Sequence, residues 1–159
     1  MKRRTKILLA VLAVAVVLFV LSRTVMMFTL VAGESMSPTL HTGDGCLGLR
    51  VHPYHPRRGD IVTFRTSNDP PVALIKRVAG LPGETLAVER GVLKINGQTV
   101  AEPYTRVNPD WEIPATKVPD GKVYVLADNR SGVSEDFVQG LVAIRLVQSR
   151  VLWHWGWTK

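Results

Sequence analysis

A single cysteine, Cys46, stands among the 159 residues, so no disulfide can close within the chain. It sits between Gly45 and Leu47 in a short apolar stretch. That setting favours a buried, inert thiol over a nucleophile. Histidine is scarce as well: His41, His52, His55 and His154 show no metal-ligand spacing with other ligand types. His52 and His55 lie in "VHPYHPRRG", whose prolines mark a surface loop. No metal site and no cofactor is expected. The sequence also lacks internal repeats and any amphipathic helix of length.

The formal charge of +7 suggests an acidic partner at first sight, but a basic stripe is missing too. Five of the 20 basic residues, Lys2, Arg3, Arg4, Lys6 and Arg23, flank the first apolar run. With those set aside, residues 24–159 carry 15 basic and 13 acidic side chains, a net of +2. This mixed surface argues against nucleic acid as a partner.

What the chain does have is "ILLAVLAVAVVLFVL", 15 unbroken apolar residues at 7–21. At about 1.5 Å each they cover roughly 22 Å, short of the ~30 Å hydrocarbon core. The apolar pattern resumes after Ser22-Arg23 with "TVMMFTLVA", and Arg23 can snorkel on its long stem. A tilted helix from about residue 5 to 24 then spans a bilayer. The cationic start "MKRRTK" favours an inside N-terminus and an outside C-terminus. A cleavable signal peptide fits the same segment, with Val20-Leu21-Ser22 as a small-residue cleavage site.

Beyond residue 30 the text reads as strands and turns. "GDIVTFR" (59–65), "VALIKRVAG" (72–80), "ETLAVERGVLKING" (84–97) and "GKVYVLADN" (121–129) are β-branched-rich runs bounded by turn residues. Arg90-Gly91 and Asn96-Gly97 are expected as turns of a meander. Residues 101–120, with four prolines and little periodicity, read as a long surface connection. "GLVAIRLVQSRVLW" (140–153) reads as a final strand with room for a bend. Trp153, Trp155 and Trp157 alternate and share one face of a strand. They fit the half-buried edge of a core and an aromatic belt at a lipid interface equally well. The expected class is mainly β: a compact β-sheet or barrel-like domain after one N-terminal transmembrane helix. The expected divisions are a basic tail at 1–6, the helix at 7–24 and the domain at 25–159.

Two segments carry the chemistry. A serine hydroxyl needs a base to become a nucleophile, and no histidine here sits in a convincing motif. A neutral lysine can serve if burial lowers its pKa from about 10.4. Such a base must lie inside an apolar strand. Lys76, in "PVALIKRVAGLPGE", meets that condition: alternation puts Leu74, Lys76 and Val78 on one face, Ile75 and Arg77 on the other. A snorkelling surface lysine on an edge strand fits the same segment. Ser35 lies in "VAGESMSPTLHTGD" (31–44), which by itself is a turn.

Together these segments resemble the conserved boxes of the type I signal peptidases, the bacterial leader peptidases with a Ser-Lys dyad. "GESMSPTL…GD" resembles the nucleophile box, "RGDIVTF" the next, "IKRVAGLPGE" the lysine box and "LADNRSGVSED" the last. They stand in the family's order over nearly the whole chain. The resemblance implies Ser35 as nucleophile and Lys76 as general base. It implies that Met36 and Pro38 shape the turn, and that the Ser35 N–H serves an oxyanion hole. Gly33 stands where some members add a serine hydroxyl to that hole. Arg77, Asp128 and Arg130 match the charged residues that brace the site. The last box departs from the pattern. Ala127 replaces a glycine, and Val133 occupies the place of the serine that orients the lysine. Ser134 falls one place late and Ser131 two places early; Glu135 and Phe137 replace an aspartate and an arginine. A one-residue bulge would bring Ser134 into position.

The implied function is removal of N-terminal signal peptides from exported preproteins, after a small-x-small (Ala-x-Ala-like) site. The implied location is the bacterial cytoplasmic membrane: single-pass, N-terminus inside, catalytic domain outside, with the helix retained. Preproteins and the lipid bilayer are the implied partners, and oligomeric state stays open. The altered last box leaves a rival, a degenerate paralogue that binds signal sequences or membrane partners without cutting. Self-cleaving repressors also use a Ser-Lys pair, but an apolar helix fills the place of their DNA-binding region.

Overall fold

The computed structural model describes residues 3–66, 70–107, 109–131 and 139–156. Its first element is a 23-residue helix, α1 (Arg3–Val25). That length corresponds to about 34 Å, enough for the hydrocarbon core of a bilayer. Its large apolar side chains are exposed to the surroundings on every side. The strands follow as β1 (Met26–Leu30), β2 (Gly45–Arg50), β3 (Ile61–Arg65), β4 (Ala73–Gly80), β5 (Thr85–Glu89), β6 (Val92–Ile95), β7 (Gln98–Thr99), β8 (Arg106–Val107), β9 (Ile113–Lys117), β10 (Lys122–Leu126), β11 (Asn129–Arg130), β12 (Gly140–Ala143) and β13 (Val147–Trp155).

The class is mainly β, as the sequence implied. Seven strands in the order β1-β2-β13-β3-β4-β10-β12 form one sheet, curled into a half-barrel. A second sheet has the order β7-β6-β5-β9, and β11 pairs with β8 in parallel. The meander is built as its turn residues require. Arg90 and Gly91 join β5 to β6, and Asn96 and Gly97 join β6 to β7, all four with positive φ. Two left-handed residues in a row make the turn whose twist matches paired strands.

β10 divides the core. Val123 and Val125 pack into one cluster with Val62, Phe64, Val78 and Val147. Tyr124 and Leu126 pack on the opposite side with Leu86, Val88, Leu93 and Trp111 of the second unit. A strand covered on both faces needs the unbroken apolar run "VYVL". A third, smaller cluster of Val31, Met36, Leu40, Cys46 and Ile75 lies under the loop between β1 and β2. Cys46 is buried there, and burial pushes its thiol up to about 11.

Three expectations need correction. Residues 101–120 are more than a surface connection: β9 joins the second sheet beside β5, and Trp111, Ile113 and Val118 are buried. The prolines hid this strand, which is short and on a sheet edge, where a missing N–H is tolerated. The run 140–153 is two strands, β12 and β13, separated by a 3-10 turn over Ile144–Leu146. β1 and β2 were not foreseen, because β1 continues the apolar pattern of α1 without a break. Trp153 is largely exposed, while Trp155 packs on Phe28 and covers Gly45. A Cβ on Gly45 would lie 2.6 Å from the Trp155 ring, so that position excludes any side chain. Trp157 lies outside the described residues.

Leu86 is fully buried in the core of the second unit, whereas Val92 is 41% exposed. Leu86→Ala is expected to lower unfolding free energy by about 2–5 kcal/mol through lost burial and a cavity. Val92→Ala is expected to change it by about 0.5 kcal/mol or less. Denaturant titration of the two variants checks both.

Candidate active site

The stretch 31–44 forms the loop between β1 and β2, closed at its base by backbone bonds. Val31 N–H donates to Asp44 O, and Gly43 N–H donates to Val31 O, both at 2.9 Å. Met36 and Leu40 point inward and are fully buried against Ile75 of β4. Gly33 has φ +94, a conformation that other residues adopt only with strain. The Ser37-Pro38 peptide is cis. The backbone bonds at its base and the buried Met36 and Leu40 pin the loop to β4 with Ser35 beside it.

Lys76 Nζ lies 2.6 Å from Ser35 Oγ. Lys76 is 4% exposed. Burial pulls its pKa down from 10.5 to about 8, and the charge of Asp128 acts against that shift. On β4, Leu74 and Val78 pack into the cluster with Val62 and Phe64, while Ile75 packs into that of the serine loop. The Ser35 N–H has no acceptor among the described residues.

Arg77 does face a carboxylate. Its Nε donates to Asp128 Oδ1 at 2.8 Å and its Nη2 to Asp128 Oδ2 at 2.6 Å, a bidentate pair. Its Nη1 donates to Gly59 O at 2.9 Å. The Thr39 hydroxyl donates to Asp128 Oδ2 at 2.5 Å, tying the serine loop to the same carboxylate. Asp128 is wholly buried. Next to it, Asn129 N–H donates to Ser35 O at 3.0 Å and Asn129 Nδ2 donates to Glu34 O at 3.1 Å. Asn129 thus holds the backbone of the serine itself.

Arg130 stands further off. Its two Nη atoms donate to Glu102 at 2.7 Å each, and its guanidinium lies 5.4 Å from the Trp111 ring centroid. Tyr104 stacks on the Arg77 guanidinium at 3.8 Å. The Ser131 hydroxyl donates to Asn129 Oδ1 at 2.5 Å, and the residue is exposed. Ser134, Val133, Glu135 and Phe137 lie outside the described residues. His41, in the serine loop, faces Glu34 at 3.1 Å.

Thr39, Glu102, Tyr104 and Asn129 were not singled out from the sequence. Asn129 stood inside the last box and Thr39 inside the first, so motif position was a usable signal for both. Glu102 and Tyr104 gave none, since they meet their partners only through the fold.

Between β1, the serine loop and β4 lies a pocket of about 150 Å³. Met27, Leu30, Ala32, Leu74 and Ile75 line it beside Ser35 and Lys76. The arrangement places a hydroxyl, an amine with a pKa of about 8 and a small apolar recess side by side.

Comparison with known proteins bears on this site. The family model described as signal peptidase, peptidase S26, matches residues 4–154. A probable signal peptidase I-1 of Synechocystis sp. is 35% identical over 133 residues, 78% of this chain and 66% of that protein. A signal peptidase I of Leptolyngbya laminosa is 39% identical over 122 residues, 70% of this chain and 60% of that protein. The chain thus covers less than two thirds of either relative's own length. A crystal structure of a signal peptidase I from Enterococcus faecalis aligns with a TM-score of 0.49 and 27% identity, over 61% of this chain and 97% of that one.

A charge buried at Lys76 has a measurable effect on stability. Below pH 8 the lysine is protonated in both folded and unfolded chains, so the desolvation penalty is present in full. Between about 8 and 10.5 only the unfolded chain keeps the proton, and stability rises with pH. Lys76→Met is therefore expected to be more stable than the parent by roughly 2–3 kcal/mol at pH 7. The gain fades to zero above about pH 10.5. Denaturant titrations at pH 7, 9 and 11 check the sign and the window.

Proposed function

The chain belongs to the signal peptidase family, peptidase S26, and from that premise we propose that it is a membrane-anchored serine endopeptidase. It removes signal peptides from exported preproteins with a Ser-Lys dyad. The observation that carries this reading is the 2.6 Å contact between Lys76 Nζ and Ser35 Oγ, made by a lysine shielded from water.

In the proposed mechanism an extended segment of the preprotein lies along a strand edge beside the serine loop, held by backbone hydrogen bonds. The pocket of about 150 Å³ takes small side chains before the cut and excludes large ones. Neutral Lys76 takes the proton from Ser35 as Oγ bonds to the scissile carbonyl carbon. Developing charge on the carbonyl oxygen is met by backbone donors, among them the Ser35 N–H. One such donor is worth about 3–4 kcal/mol. The C–N bond breaks, and protonated Lys76 returns the proton to the leaving amine. A water then loses its proton to Lys76 and attacks the acyl carbon, and Ser35 Oγ leaves with the proton restored.

Helix α1 is proposed to remain attached and to span the cytoplasmic membrane, with Lys2, Arg3, Arg4 and Lys6 inside and the β domain outside. Signal peptides stay embedded through their apolar segments, so their cleavage sites emerge at the outer interface. A nucleophile only ten residues past the helix, at Ser35, suits that depth.

Cleavage of a preprotein with an Ala-x-Ala site, by the full-length protein in detergent, tests the reading. Ser35→Ala and Lys76→Ala are each expected to lower kcat by a factor of about 10⁴ or more. A parent protein that binds the preprotein and never cuts it assigns the chain to the non-cleaving paralogue instead.

The pH profile is a second test. Lys76 works as a base only when neutral, so kcat/KM is expected to rise about tenfold per pH unit below about 8 and level off above it. Asp128→Asn removes the carboxylate that favours the charged lysine. Its residual activity is expected to show the acid limb at lower pH. A limb displaced to higher pH contradicts this coupling.

A further inference from the structure

The stretch "RVHPYHPRR" (50–58) plays no part in the dyad. It holds three arginines and two histidines ahead of its first acid, Asp60. Strand pairing fixes where it lies. Met26, the first residue beyond α1, pairs with Leu49 on β2, and Leu49 pairs with Arg150 on β13. Two strand spacings, about 10 Å, separate Met26 from Arg150. The loop leaves β2 at Arg50, one residue past this row. The loop and Arg150 therefore sit next to the point where the helix ends.

Between them is a pocket of about 170 Å³, lined by Val51, Pro53, Tyr54, His55, Arg57 and Arg150. Its base is ordered by Asp60. The buried Tyr54 hydroxyl donates to Asp60 Oδ2 at 2.7 Å, and Arg57 N–H donates to the same oxygen at 3.2 Å. Arg150 Nη1 lies 3.8 Å from Asp60 Oδ1, and Arg150 Nε is buried without a hydrogen-bond partner. Arg58 is engaged elsewhere, with Glu84 and Ala79 O. The pocket thus has two arginines, Arg57 and Arg150, in its lining, and Arg150 shares its one nearby carboxylate, Asp60, with the Tyr54 hydroxyl and the Arg57 N–H. A buried donor left unpaired is unfavourable, and an oxygen anion entering this basic pocket beside Arg150 relieves it. The volume holds several waters at ~30 Å³ each, or one tetrahedral oxyanion in their place.

We propose that this pocket binds the phosphate of an anionic phospholipid headgroup, in the leaflet that the β domain faces. The proposal rests on the reading that α1 spans a membrane. A soluble phosphate offers the same chemistry; the position beside the helix end selects the lipid. The consequence reaches the dyad. The row Met26, Leu49, Arg150 continues through Val62 on β3 to Lys76 on β4. A headgroup gripped at Arg150 gives the domain a second tether and sets the depth of Lys76 relative to the interface.

The test uses the full-length protein in neutral detergent, titrated with phosphatidylglycerol, phosphatidylcholine or inorganic phosphate and read by native mass spectrometry. The parent is expected to retain one phosphatidylglycerol in preference to phosphatidylcholine. Arg57→Gln with Arg150→Gln is expected to weaken that binding about thirtyfold, at about fivefold per basic side chain. Arg57→Lys with Arg150→Lys keeps the charge and is expected to stay within a few-fold of the parent. Equal retention by the parent and the double glutamine variant overturns the site. Inorganic phosphate binding as tightly as the lipid overturns the lipid assignment. If the double variant fails to fold, Arg57→Gln alone, at an exposed loop position, carries the test, and an unchanged affinity sinks the proposal. Preprotein cleavage by Arg57→Gln in detergent is expected at the parent's rate. Failure of the lipid site and failure of the peptidase reading are therefore told apart.

Discussion

The exclusion of water from one amine governs the rest of the structure. Lys76 sits on a central strand, and the desolvation of its ammonium brings its pKa down to about 8. Desolvation depends on the loop that carries Ser35. Met36 and Leu40 anchor that loop on Ile75, the neighbour of the lysine in sequence. The loop that carries Ser35 is thus anchored on the strand that carries the buried amine. Asp128 pulls the other way, but its carboxylate is bound twice by Arg77 and once by Thr39. Desolvation outweighs that charge, so the lysine remains well below its ordinary pKa.

The connection between β7 and β8 braces the same region. Tyr104 covers the guanidinium of Arg77, and Glu102 holds Arg130, two residues beyond Asp128. Arg130 is almost wholly buried with its partner, near the Trp111 ring. Buried ion pairs of this kind contribute little net stability, since desolvation offsets the attraction. Their effect is geometric. They set the path of residues 127–130, from which Asn129 grips the backbone of Ser35. A continuous set of polar contacts runs from the 101–107 segment to Ser35.

Much of this was legible in the sequence where the signal was local. The apolar run announced a helix, the pairs Arg90-Gly91 and Asn96-Gly97 announced the hairpin turns, and alternation in "ALIKRV" separated Leu74 from Ile75. The boxes singled out Ser35, Lys76, Arg77 and Asp128 before any coordinates. Illegible segments share a physical trait: their order comes from partners far along the chain. β9 is proline-marked and gains its form from pairing with β5. β1 is five residues long, and only pairing with β2 distinguishes it from the tail of the helix. Ser131, a candidate to orient the lysine, is drawn to Asn129 by a contact two residues away that the motif did not register.

The sequence by itself determined which side chains are available and which short stretches bend, extend or coil. Those outcomes depend on backbone sterics and on hydrophobic period, and both act over a few residues. Tertiary structure alone decided that β13, from the end of the chain, inserts between β2 and β3. It also brought Ser35 to within 2.6 Å of Lys76 across 41 positions, and it lowered the lysine pKa to about 8. Strand order depends on hydrogen-bond register between distant segments, and a pKa depends on everything that displaces water around one nitrogen. Neither belongs to any local stretch of chain, so both are settled only when the whole fold closes.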